Sequence, residues 1–276
     1  MIRVRPAAEV SVEALREGMG AGFSDYVMPM SPSAEAFTFM MRQRGLHAGL
    51  SQVAIQEGVV QAVWLVSVNG PRGYLIASAT RPEMRGRGLA RALAGACFDG
   101  LRSSGVTRFQ TEVMEGNGAA QRLYERLGML PVRMLDCYTL AKALSVGRGP
   151  VPVQGRWEDI AAVVGNCRDW PLSWQNDDAA LARVADDLDV LTVWDGAGLA
   201  GYAVMIRPTG VLAQVAIRPD ARRRGLARAL VAAATARCDK TPRVLNADRA
   251  DDGFAAFMGR IGASRGVGQY ELAGPV

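Results

Sequence analysis

The sequence predicts an α/β chain of the α+β kind, with two tandem domains of one fold, each a mixed, mostly antiparallel twisted sheet flanked by helices. Three observations predict it. The 276 residues are 49% hydrophobic, enough for two cores of ordinary domain size. Residues 81–96, "RPEMRGRGLARALAGA", recur at 218–233 as "RPDARRRGLARALVAA", identical at eleven of sixteen positions without a gap. The order of elements around the two copies is also the same, so the repeating unit is a whole domain.

In each half, a pair of strand-like runs divided by a turn precedes the signature. These are "SQVAIQ" and "VVQAVWLVSV" around Glu57-Gly58, and "VLTVW" and "LAGYAVMI" around Asp195-Gly196. An apolar strand follows ("GYLIASAT", "VLAQVAI"), then the Arg/Gly turn, then an alanine-rich helix. A last strand and helix close each unit, "FQTEVM" with "GAAQRLYERLG" and "RVLNAD" with "GFAAFMGRIG". Hairpins followed by strand-loop-helix and strand-helix imply a mixed sheet covered by helices. "SVGRGPVPVQGR", residues 145–156, lacks an amphipathic period and reads as a linker between domains 1–144 and 150–276.

Composition excludes several classes. Charged residues make up 21% and are mixed in sign, so no long disordered tail is expected. "MIRVRPAAEV" has no apolar run of leader length behind its arginines, and "VVQAVWLVSV" is about half a membrane span, so a cytoplasmic protein is expected. The four cysteines are scattered and His47 is the only histidine, so neither a metal site nor a disulfide framework is expected. The net charge of +5 suits an anionic partner. Nucleic acid is disfavoured, because neither arginine cluster has an aromatic neighbour on which a base would stack.

The Arg/Gly turn narrows the choice. Arg85, Gly86, Arg87, Gly88, Leu89 and Ala90 lie between a strand and a helix start, where glycines let successive N–H groups converge beside a positive dipole end. That is a pyrophosphate cradle. Arg222, Arg223, Arg224, Gly225, Leu226 and Ala227 give the same frame with one glycine fewer. The alternative is a basic helix start on a solvated face.

Both turns resemble the R-x-x-G-x-G/A acyl-CoA loop of the GNAT acyltransferase superfamily, and "NGAAQRLYERLGM", Asn117–Met129, resembles its N-x-x-A-x-x-L-Y-x-x-x-G-F helix with Met129 for the usual Phe. The tandem layout also resembles that of mycothiol synthase, which acetylates a sugar-linked amine. The resemblance implies acetyl-CoA as cosubstrate and no metal. It also implies two splayed strands whose free backbone groups, near Ala79 and Thr80 or Ala216 and Ile217, bond the pantetheine arm. The acceptor would be a small-molecule or peptide amine, and a monomer whose halves form a pseudo-dimer fits the duplication.

Acyl transfer needs an acid for the departing thiolate, whose pKa is near that of cysteine, about 8.5, and a tyrosine of pKa about 10 can serve. Tyr124 matches the superfamily's acid tyrosine; the alternative is a tyrosine buried with its hydroxyl on backbone. Asn117 either bonds a pantetheine amide or caps the helix. In the second half Met258 and Asp251 stand at these two positions, and a methionine donates no proton, so the first half carries the better-preserved site. Tyr202 and Tyr270 are substitutes without a spacing argument.

The general base is open. The first half offers only Glu112 and Glu115, on and just after its last strand; Glu112 acts through water or forms an ordinary ion pair, and a lone His47 is more often a structural residue than a base. "WPLSWQN" suits a pocket wall or an interface. "MPM" and "FTFMM" suit an acceptor pocket or plain core. A CoA-binding regulator or scaffold without turnover is the alternative function.

Overall fold

The computed structural model describes residues 1–26, 30–142, 144 and 150–276. The chain forms two compact units, one of Met1–Val132 with Glu271–Val276, the other of Arg133–Tyr270.

The first unit runs β1 (Arg3–Pro6), α1 (Val12–Gly22), α2 (Ala34–Arg44), β2 (Gln52–Gln56), β3 (Val59–Asn69), β4 (Arg72–Thr80), α3 (Leu89–Ser103), β5 (Arg108–Met114) and α4 (Gly118–Arg126). Local chemistry fixes the boundaries. Ser11 and Ser33 cap α1 and α2 by accepting the N–H of Ala14 and Ala36, and α2 stops at Gly45 with φ 75°. Glu57 and Gly58, at φ 52° and 79°, make the tight turn between β2 and β3 that the sequence announces. Strands β1 to β4 are antiparallel neighbours in order, β5 joins β4 in parallel, and the C-terminal residues of this unit lie beside β5. The core is built on Trp64, Phe109, Phe37, Leu93 and Leu101, all fully buried.

The second unit begins with most of β6 (Leu130–Thr139), then β7 (Val153–Gly155), α5 (Trp157–Ile160), α6 (Asp178–Ala182), β8 (Leu188–Asp195), β9 (Gly198–Ile206), β10 (Val211–Ile217), α7 (Leu226–Ala236), β11 (Arg243–Asp248), α8 (Asp252–Arg260) and β12 (Ser264–Arg265). The last strand, β13 (Gln269–Pro275), starts here, but from Glu271 onward its residues belong to the first unit. Strand order is β6-β11-β10-β9-β8-β7, antiparallel except for the β10–β11 pair.

The units therefore divide the chain elsewhere than at residues 144–150. Each half ends in a strand, and nothing in its alternation of apolar residues states which sheet it will join. Of the expected linker, residues 145–149 lie outside the described residues, and Val153–Gly155 is strand, paired with β8 at Val190–Thr192. An edge strand of three residues is held by backbone bonds and needs no amphipathic period.

Two features position the site, and both are repeated. A bulge interrupts β4 at Ile76 and β10 at Ala213. Parallel pairing is also brief: β4 meets β5 only from Arg72–Tyr74 to Arg108–Gln110, and β10 meets β11 only at Val211 and Arg243. Beyond these pairs each couple of strands separates. The end of β4 is buttressed by Gly22 of α1, where an added Cβ would lie 2.7 Å from the Cβ of Ala79 and 2.9 Å from the backbone nitrogen of Thr80. Gly22→Ala is expected to destabilise the protein by about 1–3 kcal/mol, read as a lowered urea midpoint, because backbone cannot yield as a side chain does.

Candidate active site

The two Arg/Gly turns fold as their residues require. Gly86 and Gly88 sit at φ 75° and 74°, and Gly225 at 82°. Arg223, at 65°, occupies the left-handed position that Gly86 holds in the first copy, at a steric cost that glycine avoids. Gly88 and Gly225 are the N-cap residues of α3 and α7, and neither helix has a side-chain cap. The first-turn N–H groups around Leu89 and Ala90, and around Leu226 and Ala227, therefore have no capping side chain. A Cβ at Gly88 would meet no atom within 4 Å, so the space over the start of α3 is open. These cradles fit a diphosphate.

The side chains of Arg85 and Arg222, assigned to phosphate by the sequence, are engaged otherwise, each by an aspartate and by the carbonyl at its strand end. Arg85 donates to both oxygens of Asp25 at 2.7 Å, to the carbonyl of Gly22 at 3.0 Å and to that of Thr80 at 3.2 Å. Arg222 donates to both oxygens of Asp169 at 2.8 and 3.0 Å and to the carbonyl of Ile217 at 3.0 Å. Each is a clamp between the strand end and the segment over it. The guanidinium beside Asp25 holds that carboxyl below its ordinary range. Asp25 and Asp169 escaped the sequence reading because they stand 60 and 53 residues before their arginines, a difference that a gapless repeat cannot span. The signal was the recurring Asp-aromatic pair, Asp25-Tyr26 and Asp169-Trp170.

Thr80 and Ile217 turn their carbonyls outward to these clamps. Arg81 and Arg218 donate N–H to Gln61 and Ala200, on or beside β3 and β9. Alternation along the strand then directs the backbone groups of Ala79 and Ala216 to the same neighbours, so that, with the carbonyls of Thr80 and Ile217 held by the arginines, only their N–H groups are left outside the sheet pairing. Arg87 is exposed at its turn, whereas Arg224 donates to the carbonyl of Asp220 at 3.2 Å.

In the first unit Tyr124 of α4 is 6% exposed and packs edge-on against Trp64, ring centroids 6.2 Å apart. Its hydroxyl has no hydrogen-bond partner among the described residues, so it is not held on backbone. Burial, with the Tyr26 phenol nearby as a lesser cause, pushes its pKa well above the ordinary tyrosine value. Asn117 caps α4 by accepting the N–H of Ala120 at 3.1 Å, and its own amide donates to the Tyr26 hydroxyl at 3.1 Å. Glu112 accepts a hydrogen bond from the buried Tyr74 hydroxyl, an internal pair. His47 accepts the N–H of Leu50 at 3.2 Å and shapes the α2–β2 connection, a structural role.

In the second unit the separated strands enclose a cavity of about 1090 Å³, lined by Arg223 and Gly225 of the turn, by β10 and β11, and by Trp170, Phe254 and Phe257. This is the upper end of the size range of ligand pockets, about 300–1,000 Å³. Met258, at the acid position, is 0% exposed in the core. Asp251 caps α8 at Phe254. Tyr202 borders the cavity, but its hydroxyl is spent: it donates to Gln214 and accepts from Arg168, both at 2.9 Å, and burial pushes its pKa to about 12. Tyr270 is not among the cavity's lining residues. The "WPLSWQN" segment divides, with Trp174 in the core, Trp170 and Asn176 in the cavity wall. Asn176 and Asn246 border the same cavity, and Asn176 Oδ1 and Asn246 Nδ2 are buried without hydrogen-bond partners among the described residues. Of the methionine-rich stretches, Phe37 and Met41 are core, and Met28 and Pro29 lie outside the described residues. Among the described residues no helix is long and apolar enough to cross a membrane.

Known proteins share the family and the fold. The profile of the acetyltransferase (GNAT) family matches residues 21–129, and that of an acetyltransferase (GNAT) domain matches residues 166–254. A mycothiol acetyltransferase of Beutenbergia cavernae is 35% identical over 74 residues, 27% of this chain and 25% of that protein. The chain thus spans about a quarter of that relative's length. A GCN5-related N-acetyltransferase from Sphaerobacter thermophilus superposes with a TM-score of 0.72 at 17% identity, over 100% of this chain and 95% of the other. A tandem GNAT protein from the clavulanic acid biosynthesis pathway does so with 0.71 at 16% identity, over 100% and 98%. With both repeats matched and the fold shared along its whole length, the chain belongs to the GNAT acetyltransferase superfamily as a tandem-domain member.

Proposed function

We propose that this protein is an N-acetyltransferase that takes its acyl group from acetyl-CoA and passes it to a primary amine, with the chemistry in the first unit. The observation that carries the reading is the Tyr124 hydroxyl, on a buried side chain and without a hydrogen-bond partner among the described residues, on the helix that follows the splayed strand β5. A phenol in that condition is available to protonate a departing thiolate. The N–H groups at Gly88, Leu89 and Ala90 hold the diphosphate, and the outward backbone groups near Thr80 hold the pantetheine arm. Backbone N–H at the strand opening also stabilises charge on the acyl oxygen. The reacting amine attacks as the free base. Glu112, paired with Tyr74, is less suited to remove its proton than bulk water reached through the cleft.

The second unit has a cradle and a cavity but Met258 in place of the acid, which supports binding of acyl-CoA there without turnover. The acceptor of the first unit is a small molecule or a peptide.

The test is release of free thiol from acetyl-CoA in the presence of primary amines of several classes: small amines, amino sugars, polyamines, lysine and peptides with a free N-terminus. Amine-dependent release with a matching acetylated product is expected. Absence of release with every class from a protein that binds acetyl-CoA would leave the regulator or scaffold reading in its place.

A further inference from the structure

We propose that the two units exchange acyl-CoA at different rates: the first releases it readily, as turnover requires, and the second retains it. This rests on the reading that both cradles hold acyl-CoA, and the difference lies in a strap that crosses each cleft.

The strap is a pair of consecutive residues. In the first unit Asp25 accepts the fork of Arg85, in the turn after β4. The Tyr26 hydroxyl accepts the amide N–H of Asn117, which caps the helix after β5. Strands β4 and β5 have separated by then, since they pair only as far as Tyr74 and Gln110. Two neighbouring side chains thus tie together the elements on the two sides of the gap. In the second unit Asp169 accepts from Arg222, in the turn after β10. Trp170 packs edge-on against Phe254, in the first turn of the helix after β11, centroids 5.3 Å apart. Asp169 and Trp170 line the cavity of that unit, so there the strap is a wall of the cavity itself. A pantetheine arm lying between the strands is crossed by the strap, and a tie has to break before the ligand enters or leaves.

The ties are unequal. The arginine–aspartate tie is common to both units and about half-exposed in both, so it is weak and sets no difference. Beyond it, the first strap is held by one hydrogen bond between neutral groups. Ser24, before Asp25, is exposed and donates only back into its own helix, to Ala21. In the second unit the residue before Asp169 is Arg168. It donates to both oxygens of Asp178 and, at 2.9 Å, to Tyr202 of β9 and Gln214 of β10, which fixes the strap to the sheet. Phe254, on which Trp170 rests, is itself packed edge-on against Tyr138, centroids 6.3 Å apart.

A neutral hydrogen bond shifts an equilibrium by about fivefold and an edge-on aromatic pair by up to about tenfold, and hydrogen bonds from a charged group shift it further. With the guanidinium network on one side only, the second strap opens less often than the first by at least about tenfold, and a ligand released only from the opened state leaves more slowly in proportion. Retention suits a unit with Met258 at the acid position, which has no product to release.

The test is exchange of acetyl-CoA labelled in its adenine ring. The ligand-free full chain is loaded without amine and mixed with a large excess of unlabelled acetyl-CoA, and the retained label is followed by rapid filtration. Two phases of equal amplitude are expected, one at least about tenfold slower than the other. Gly88→Glu should remove the fast phase and Gly225→Glu the slow one. Trp170→Ala should speed the slow phase about tenfold and leave the fast one alone, and Trp170→Phe, which keeps an aromatic edge for Phe254, should restore it. Arg168→Lys keeps the charge, loses the fork, and should speed the same phase. Tyr26→Phe keeps the ring packed on Phe23, centroids 5.4 Å apart, and should speed the fast phase about fivefold. Equal rates from the two units, a slow phase that belongs to the first, or a slow phase that both Trp170→Ala and Arg168→Lys leave unchanged overturns the proposal while both sites stand. A wild type that fills only one site overturns the reading beneath it instead.

Discussion

Replacing Tyr124 by Phe is expected to lower kcat by about 10²–10³-fold while leaving acetyl-CoA affinity and fold stability nearly unchanged. The three parts of this expectation have separate causes. The ring, edge-on to Trp64, is retained, so packing survives. The hydroxyl makes no hydrogen bond among the described residues, so its removal orphans no partner. What is lost is a proton for a leaving group whose conjugate acid has a pKa near 8.5. Because burial raises the pKa of Tyr124, the phenol stays protonated beyond the ordinary tyrosine value of about 10. The acid form is the working one, so kcat of the wild type should show no alkaline fall from this group up to pH 10. A pH profile of thiol release for both proteins, with calorimetry for affinity, checks each part.

The sequence and the structure agree most closely where a local rule governs. The strand-turn-helix at each signature was legible because glycine spacing, apolar period and duplication all report the same short segment. The Glu57-Gly58 hairpin was legible from its turn residues alone. Long-range choices were not legible. Residues 271–276 belong with the first unit although their sequence neighbours belong with the second, and a strand's own pattern does not name its partner. Asn117 was open between two roles, and the structure gives it a cap and the hydroxyl of Tyr26, a residue 91 positions away. Arg85 and Arg222 looked like phosphate ligands because the aspartates that hold them, Asp25 and Asp169, stand at unequal distances before them. The cavity of the second unit depends on how soon β10 and β11 part, which no side chain in either strand announces.

The second large effect concerns the cradles themselves. Gly88→Glu and Gly225→Glu each set a carboxylate at the N-cap of a cradle helix, at a φ of 74° or 82° that costs an L-residue roughly 1–2 kcal/mol of stability. Like charge against the diphosphate adds about 4 kcal/mol per contact near 4 Å at a surface-like dielectric. The strain lowers stability equally with and without ligand, while the repulsion alone weakens binding in the altered unit by at least about 100-fold. The strain falls at one helix cap, so the other unit keeps its site.

The most direct measurement is a calorimetric titration of wild type and both glycine variants with acetyl-CoA, with thiol release assayed on the same samples. The account predicts two sites in the wild type and one in each variant, with turnover lost in Gly88→Glu and kept in Gly225→Glu. Turnover lost in Gly225→Glu and kept in Gly88→Glu would contradict the assignment of chemistry to the first unit, and a folded wild type that binds no acetyl-CoA would contradict the account as a whole.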